Sequence, residues 1–331
     1  MGKLLYIRNA AFAFLVALAW SAVPAVAQEW PTHFITLIVP FGPGSASDIV
    51  SRILAPGMSE ALGQQVVIEN IGGAGGNIGT TRAAKAAPDG YTMVLGAIDT
   101  FAQSPSLFKS PPYNPVTDFT PVGLAVEQPL VLTVKKDLPV SNLKEFATYL
   151  KANQAKVQFA SSGVGSAVHL ACSQINFAVG APNVTHVPYR SSAPALQDVI
   201  AGHIDYYCPL AVAAIPLVKN QSLKALAILT QERSSLLPDL PTAKEQGFDG
   251  LDGYYWMGFF FPKGTPDAIV QKLNKAVNAT IENPSVQARL RELATTAVAR
   301  DRRSPAYLHK YVESEIAKWA ATIKASGITP Q

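Results

Sequence analysis

Residues 35–48, with the sequence ITLIVPFGPGSASD, join a continuous apolar run to a loop rich in glycine and serine. An apolar run of this kind, closed by Pro40, is typical of a strand buried on both faces of a parallel sheet. Apolar residues then recur at helical spacing over 48–62, where Pro56-Gly57 is expected to kink or split the helix. The segment therefore predicts a strand, a loop and a helix in direct succession.

The same alternation continues along the chain. Strands predicted at 66–68 and 91–95, with a helix at 77–87 between them, complete a parallel α/β unit. A second unit has strands predicted at 130–134, 157–160, 184–189 and 204–207, and helices at 142–151 (capped by Ser141), 166–179 and 193–201. An aromatic strand at 254–261 and amphipathic helices at 266–281 and 305–326 follow.

These C-terminal helices need a sheet to cover. The first unit has fewer predicted strands and helices than the second, so it is the unit that they would complete. We therefore expect an α/β fold of two lobes, the first built from 28–126 plus 229–331 and the second from 127–228. The chain would cross twice between the lobes. Two crossings make a hinge.

The composition excludes several classes of protein. The chain has 331 residues, of which 48% are hydrophobic and 15% charged, so it can bury sizeable cores and is not a disordered protein. Its formal net charge of +4 is small and dispersed, which argues against binding to nucleic acid. Neither cysteine belongs to a CxxC pair, and no histidines stand at metal-ligand spacing, so no metal site is expected.

The N-terminus predicts export. Lys3 and Arg8 precede an apolar run at 10–20, and Ala25-Val26-Ala27 places small residues where a signal peptidase reads them. The run is shorter than the roughly 20 residues that span a bilayer. We interpret 1–27 as a cleaved signal peptide rather than a retained anchor, with the mature protein in the periplasm.

Two loops are candidates for binding an anion. The loop at 41–48 opens the first helix at the carboxyl end of a strand, where helix N-termini offer unpaired N–H groups. Gly42 and Gly44 would let the backbone approach a ligand and Ser45 and Ser47 would add hydroxyl donors, whereas Asp48 reads more readily as an N-cap or first-turn acid.

The loop at 161–166 is the counterpart in the second lobe, and with it Ser161, Ser162, Gly163 and Ser166 would face the first loop across a cleft. Glycines at 72–79 do not match a dinucleotide-binding motif and are better explained as a wall of the same cleft, so no cofactor is expected. Arg190 ends a predicted strand. It is equally well explained as a fork on a carboxylate or as a solvated arginine.

Catalytic motifs are hard to find. The best set for an exported hydrolase, Ser166 with His169, lacks a third member, and His169 is more readily explained as a structural or loop-bridging residue. A sensor that presents its bound ligand to a membrane kinase would use the same closure as a transport receptor. The sequence does not separate these two.

Cys172 and Cys208 both fall in the second lobe, and export would place them where disulfides persist. We expect them to form a disulfide, with two buried thiols as the alternative.

Several motifs in order resemble a known family. The chain is similar to the solute-binding receptors of tripartite tricarboxylate transporters, the Bug proteins, in essentially its whole mature length. The motifs that carry the resemblance are IVPF (38–41) with Asp48, LGQQVVIEN (62–70), GAGGNIG (73–79), PDGYT (88–92), VPYR (187–190), LPDLPT (237–242) with Glu245 and Gly247, and FPKGTP (261–266).

The resemblance implies a type II periplasmic-binding-protein fold that closes on a small carboxylate and delivers it to membrane permease subunits. A cleft rich in amides and hydroxyls would accept an organic acid, an acidic amino acid or an aromatic acid, and the sequence does not decide among them. It implies a monomer and no turnover. Within the ligand loops at 41–48, 75–77, 96–100 and 161–166 and at 189–190, it places the ligand contacts on Phe41, Gly42, Gly44, Ser45, Ser47, Asp48, Gly76, Asn77, Ala97, Thr100, Ser161, Ser162, Gly163, Ser166, Tyr189 and Arg190. His169, just after the loop at 161–166, is a further candidate ligand contact. Asp205, in a Gly-x-x-Asp element, matches a further position near the cleft. Ser45 and Arg190-Ser191 depart from the usual Gly and Lys-Gly of the family.

Overall fold

The computed structural model describes residues 30–251 and 254–325. The predicted signal peptide at 1–27 lies outside these residues, as does the end of the last predicted helix at residue 326. None of the helices in the described ranges combines the length and the apolar character that crossing a bilayer requires.

Two mixed sheets organise the described residues. The strands are β1 (Ile35–Val39), β2 (Val66–Asn70), β3 (Thr92–Ala97), β4 (Phe119–Pro129), β5 (Val131–Val134), β6 (Gln158–Ser161), β7 (Thr185–Pro188), β8 (Tyr206–Tyr207), β9 (Lys224–Ile228), β10 (Tyr254–Pro262) and β11 (Thr296–Ala297). The first sheet has the order β11-β4-β10-β3-β1-β2 and the second β7-β6-β8-β5-β9. Each sheet is the centre of one lobe.

Helices cover the faces of both sheets. They are α1 (Ala46–Leu62), α2 (Asn77–Ala84), α3 (Ser104–Leu107), α4 (Leu143–Asn153), α5 (Ala167–Ala178), α6 (Ser192–Ile200), α7 (Ala211–Lys219), α8 (Asp267–Glu282), α9 (Pro284–Arg291) and α10 (Pro305–Ala325). A short π-helical segment, Asp99–Gln103, precedes α3. The core runs through both lobes and is built from their buried aliphatic and aromatic side chains.

The parallel part of the first sheet follows the alternation seen in the sequence. β1 pairs in parallel with both β2 and β3. The aromatic strand β10 then pairs antiparallel with β3 and with β4, so the C-terminal third of the chain completes the first sheet and α8 covers it. β4 continues to Pro129, beyond the boundary expected at residue 127, and the second sheet begins at Val131. The return to the first sheet comes after β9.

Some local predictions differ from the structure. α1 is one continuous helix through Pro56, because its buried face, including Val50, Leu54 and Met58, holds it against the sheet. The cap of α4 is Asn142 rather than Ser141, since the Asn142 side chain accepts the Glu145 N–H. β4, α7 and β9 were not predicted, because proline and glycine interrupt the apolar runs there or the pattern is apolar on all sides.

A covalent link joins two elements of the second lobe. Cys172 in α5 and Cys208 after β8 form a disulfide, with their Cα atoms 5.6 Å apart. Both residues are fully buried. The helix that follows the serine-rich loop is therefore tied to the sheet beneath it.

Candidate functional site

Two loops meet where the lobes face each other. One follows β1 and opens α1, and the other follows β6 and opens α5. A third segment, between β2 and α2, packs against the second of these loops: a Cβ built on Gly75 would lie 2.6 Å from the Val164 carbonyl oxygen, and one built on Gly163 would lie 3.0 Å from the Gly75 nitrogen. The backbones of the two lobes are therefore in direct contact across the cleft, and the structure is that of a closed pair of lobes.

A small cavity lies between these loops. Its water-accessible volume is ≈ 10 Å³, about enough for one water molecule. The first lobe lines it with Phe41, Ser45, Ala46, Ser47, Asp99 and Tyr255, and the second lobe with Ser162, Val168, Ser192 and Leu210. Among these described lining residues there is no lysine, arginine or histidine. Hydroxyl groups and helix amides are the donors that this cavity offers to an anion.

Four of the lining residues were expected from the sequence: Phe41, Ser45, Ser47 and Ser162. Ser45 is the N-cap of α1, because its hydroxyl oxygen accepts the Asp48 N–H at 3.3 Å. Ser47 stands in the first turn, where a helix provides no internal acceptor for the N–H groups. Both groups therefore lie at the N-terminus of α1, and the tertiary structure places that terminus at the cavity.

Asp48 shapes the first loop. Its carboxylate accepts the Gly44 N–H at 2.9 Å and also bonds to Arg52 and Asn70. Burial by itself would raise the pKa of Asp48, but these hydrogen bonds outweigh it and lower the pKa. The Asp48 carboxylate and the Gly44 N–H are thus hydrogen-bonded to each other, so this N–H is already paired within the loop. The simpler reading of Asp48, as a first-turn acid, describes what the structure contains.

Gly42 allows the closest approach of the first loop to the second lobe. A Cβ at Gly42 would lie 2.9 Å from that of Ser191, which precedes α6. A side chain there would push the two lobes apart.

The second loop is braced from beneath. Ser166 caps α5, donates to the Gly163 carbonyl oxygen at 2.7 Å and accepts from the His169 N–H. The His169 ring takes the Gly165 N–H at 3.3 Å, and the Ser161 hydroxyl lies 2.6 Å from His186 Nε2. The His169 imidazole does not bond to the Ser166 hydroxyl, so this pair is no hydrolase dyad.

The two histidines form a stacked pair. The centroids of His169 and His186 lie 4.0 Å apart. Burial lowers the pKa of His169 to about 4, and burial together with its neighbour lowers the pKa of His186 to about 3. Both rings are neutral near pH 7 and act as packing and hydrogen-bonding groups.

A polar wall supports the first-lobe side of the cleft. Gly76 precedes α2, and Asn77 Oδ1 accepts from Ser104 at 2.8 Å and from Tyr113 at 2.7 Å. The Thr100 hydroxyl bonds back to Ala97. These residues lie behind the lining and hold the loop 96–100 in place.

Tyr189 and Arg190 lie at the rim. Tyr189 donates to Asp198, and burial together with this hydrogen bond raises the pKa of Tyr189 to about 12. The Arg190 side chain is exposed and makes no hydrogen bond or ion pair to any residue in 30–251 or 254–325. In this closed arrangement the Arg190 guanidinium has no carboxylate partner among the described residues.

Asp205 does not lie near the cleft, which corrects the expectation. Its carboxylate accepts the Gln158 N–H at 2.7 Å and pairs with Lys135 at 2.8 Å. Gln158 begins β6, whereas the cleft lies past the other end of that strand, about 10 Å away. Asp205 therefore makes its contacts at the end of the second sheet that lies away from the cleft.

The acid that lines the cavity lies in the ligand loop expected at 96–100, but only Ala97 and Thr100 of that loop were expected to contact the ligand. Asp99 follows β3 within an otherwise apolar stretch, GAIDTFA at 96–102, and its side chain is 2% exposed. The Tyr255 O–H donates to it at 3.0 Å across 156 positions of sequence. A lone acid after a buried strand was the available signal.

No cluster of three or more histidines, cysteines or acids able to hold a metal ion occurs in the ranges that the structure covers. The arrangement as a whole is a pair of lobes whose helix N-termini and hydroxyl groups converge on one buried space.

Comparison with known proteins agrees with this geometry. The family model for the tripartite tricarboxylate transporter family receptor, TctC, matches residues 50–328. The structure of the periplasmic binding protein BugD is similar with a TM-score of 0.88 and 37% identity, covering 91% of this chain and all of that one. MatC from Rhodopseudomonas palustris with bound malate gives 0.86 and 37%, covering 89% of this chain and 100% of that one.

A further R. palustris protein, solved with adipate, gives a TM-score of 0.87 at 34% identity, covering 92% of this chain and 100% of its own. The match to the family model extends over most of the chain, and these structures share its α/β periplasmic-binding-protein fold. The chain therefore belongs to the TctC family of tripartite tricarboxylate transporter receptors, a family of solute-binding proteins rather than enzymes.

Proposed function

We propose that this protein captures a small carboxylated solute between its lobes and closes on it. The observation that carries the proposal is one cavity lined from opposite lobes by Ser45, the N-cap of α1, and by Ser162 and Val168, which lie on either side of the N-cap of α5. A carboxylate there would meet helix N-termini and hydroxyl donors from both sides. Relatives that bind malate and adipate support the same class of ligand.

Closure is the proposed mechanism. The cavity between the closed lobes has room for about one water molecule, so a solute enters only when the lobes separate. The chain crosses between the sheets near Pro129 and again after Ile228, and these two crossings are where separation would hinge. A solute that contacts both lobes stabilises the closed form by the bonds it makes to each.

Delivery to a membrane permease follows from the family. The closed receptor, in this proposal, docks on the tripartite permease subunits in the periplasm and releases its solute there. The signal peptide predicted at 1–27 supports this location, and BugD is described as a periplasmic binding protein. N-terminal sequencing of the exported protein, starting at Gln28, is the result expected.

The binding proposal is tested by thermal melting of the purified protein with a panel of carboxylates that includes malate and adipate. A ligand at 100 times its dissociation constant stabilises the fold by about 2.7 kcal/mol, which is readily measured. Native mass spectrometry should show one acid bound per chain. A panel that gives no shift, together with consumption of any acid, would contradict the proposal.

A further inference from the structure

Asp99 bridges the two lobes inside the binding cavity. It extends from the end of β3 in the first lobe and is 2% exposed. Its Oδ1 accepts the Thr100 N–H at 2.9 Å and its Oδ2 accepts the Tyr255 O–H at 3.0 Å. The backbone N–H of Ala167, the first residue of α5, is close enough to favour the charged form of Asp99. A protein carboxylate therefore faces the N-terminus of the second-lobe helix.

The charge of Asp99 has no cationic partner in the cavity. The other residues that line this cavity within the described ranges are aliphatic, aromatic or hydroxyl-bearing. Burial raises the pKa of Asp99 to about 7, despite the hydrogen bonds that favour its charged form. Tyr255 and Tyr113, the titratable groups that interact with it, have pKa values raised by burial and stay protonated near pH 7.

A bound solute must replace the contact that closure makes. When the lobes separate, the Ala167 N–H moves away from the Asp99 carboxylate, and a solute placed between them faces both. It has to offer an acceptor to the Ala167 N–H and a donor to Asp99, because an unpaired buried group costs its full desolvation penalty. A plain dicarboxylate offers only acceptors, and its charge adds to that of Asp99 where no cation offsets it.

We infer that Asp99 makes this receptor select carboxylates that also bear a protonated amino group, amino-acid-type zwitterions, over the same acids without it. The solute's carboxylate would lie on the helix amides and hydroxyls, and its ammonium group on Asp99. A charge-assisted hydrogen bond of this kind is among the stronger ones in proteins. The inference rests on the proposed function and names the class of solute that the cleft takes.

The test uses pairs of acids that differ by one amino group: β-alanine against propanoate, and aspartate against succinate. Calorimetry and thermal melting on the wild-type protein should show the amino acid of each pair binding at least about tenfold more tightly. Asp99→Asn and Asp99→Ser should abolish or invert that ratio. Asp205→Asn, at the end of the second sheet that lies away from the cleft, is the matched control and should preserve the ratio.

Proton exchange provides a second readout. Pairing with an ammonium group lowers the pKa of Asp99, so β-alanine should release protons on binding at pH 7, as measured by calorimetry in buffers of different ionisation heat. Uptake of protons with succinate, and succinate binding that Asp99→Asn weakens, would overturn the inference in favour of a protonated Asp99 donating to a second carboxylate.

The two proposals fail differently. Binding of all four acids without discrimination by the amino group overturns the role of Asp99 and leaves the carboxylate receptor standing. No shift with these acids or with the wider carboxylate panel overturns the receptor proposal itself. The ratio is measured on the wild-type protein first, so the result does not depend on whether the variants fold.

Discussion

Gly75→Ala should separate lobe closure from fold stability. Gly75 has φ +63°, and a Cβ added there would lie 2.6 Å from the Val164 carbonyl oxygen of the opposite lobe. A left-handed backbone costs an alanine about 1–2 kcal/mol in any state of the hinge. The clash with Val164 exists only when the lobes are closed. Since ordinary van der Waals contact begins near 3.4 Å, the loops must stay about 0.8 Å farther apart.

The chain supplies a matched control. Gly63, after α1, has φ +69° and nothing within 4 Å of its added Cβ. Gly63→Ala therefore carries a similar backbone cost without touching the other lobe. Both variants should lose about 1–2 kcal/mol of unfolding free energy. Gly75→Ala alone should also lose affinity, by about tenfold to a hundredfold, the range expected for overpacking that costs 1–3 kcal/mol.

The assay has two parts. Chemical denaturation without ligand gives the stability of each variant, and calorimetry with the carboxylate that gives the largest melting shift provides the affinity. Small-angle scattering should show that Gly75→Ala with ligand is less compact than the wild-type complex. Equal affinities for Gly75→Ala and Gly63→Ala would refute the reasoning, because the backbone contact at Val164 would then play no part in the bound state.

Three further predictions concern the second lobe. The disulfide between Cys172 and Cys208 should leave no free thiols in denatured, unreduced protein, and a Cys208→Ser variant should lose about 2–4 kcal/mol of stability. Ser166→Ala removes the cap of α5 and should cost about 0.5–2 kcal/mol in denaturation while changing ligand affinity little; a large loss of affinity at unchanged stability would contradict this. His169 and His186 have pKa values lowered to about 4 and about 3 from 6.5, so the unfolded chain binds protons below pH 6.5 that the fold does not. Stability should therefore fall as the pH drops from 6.5 towards 4, by at most about 1.4 kcal/mol per pH unit for each ring, and His186→Asn should flatten that slope relative to wild type.

Local signals in the sequence were sufficient for most of the strands and helices and for the loops that open α1 and α5. Ser45 and Ser166 cap those helices as residues of their type do, because capping depends on a few neighbouring backbone groups. The long strand β4 was missed, since Pro121 and Gly123 interrupt its apolar pattern. Its place is decided by pairing with β10, which lies far away in sequence.

The roles of individual acids were not predictable in the same way. Asp48 lies in the first turn of α1, a position that the sequence indicates because its partners at Gly44 and Arg52 are nearby in the chain. Asp205 was expected near the cleft but lies at the other end of the strands of its sheet, and Asp99, although within the expected loop 96–100, was not expected to line the cavity. Which end of a sheet an acid lies beside depends on how the strands pair and in which register. A short sequence motif does not specify that pairing.

The sequence by itself determined the alternation of elements, the glycine and serine composition of both loops and the family to which the chain belongs, since these are properties of contiguous residues. Only the tertiary structure decided that the Tyr255 O–H donates to Asp99 and that this buried carboxylate faces the N-terminus of α5. Three separate segments supply these groups, and the closed lobes bring them together. The selectivity that we propose for the cleft would therefore be a property of the closed fold, because the charge on Asp99 matters most where water is excluded.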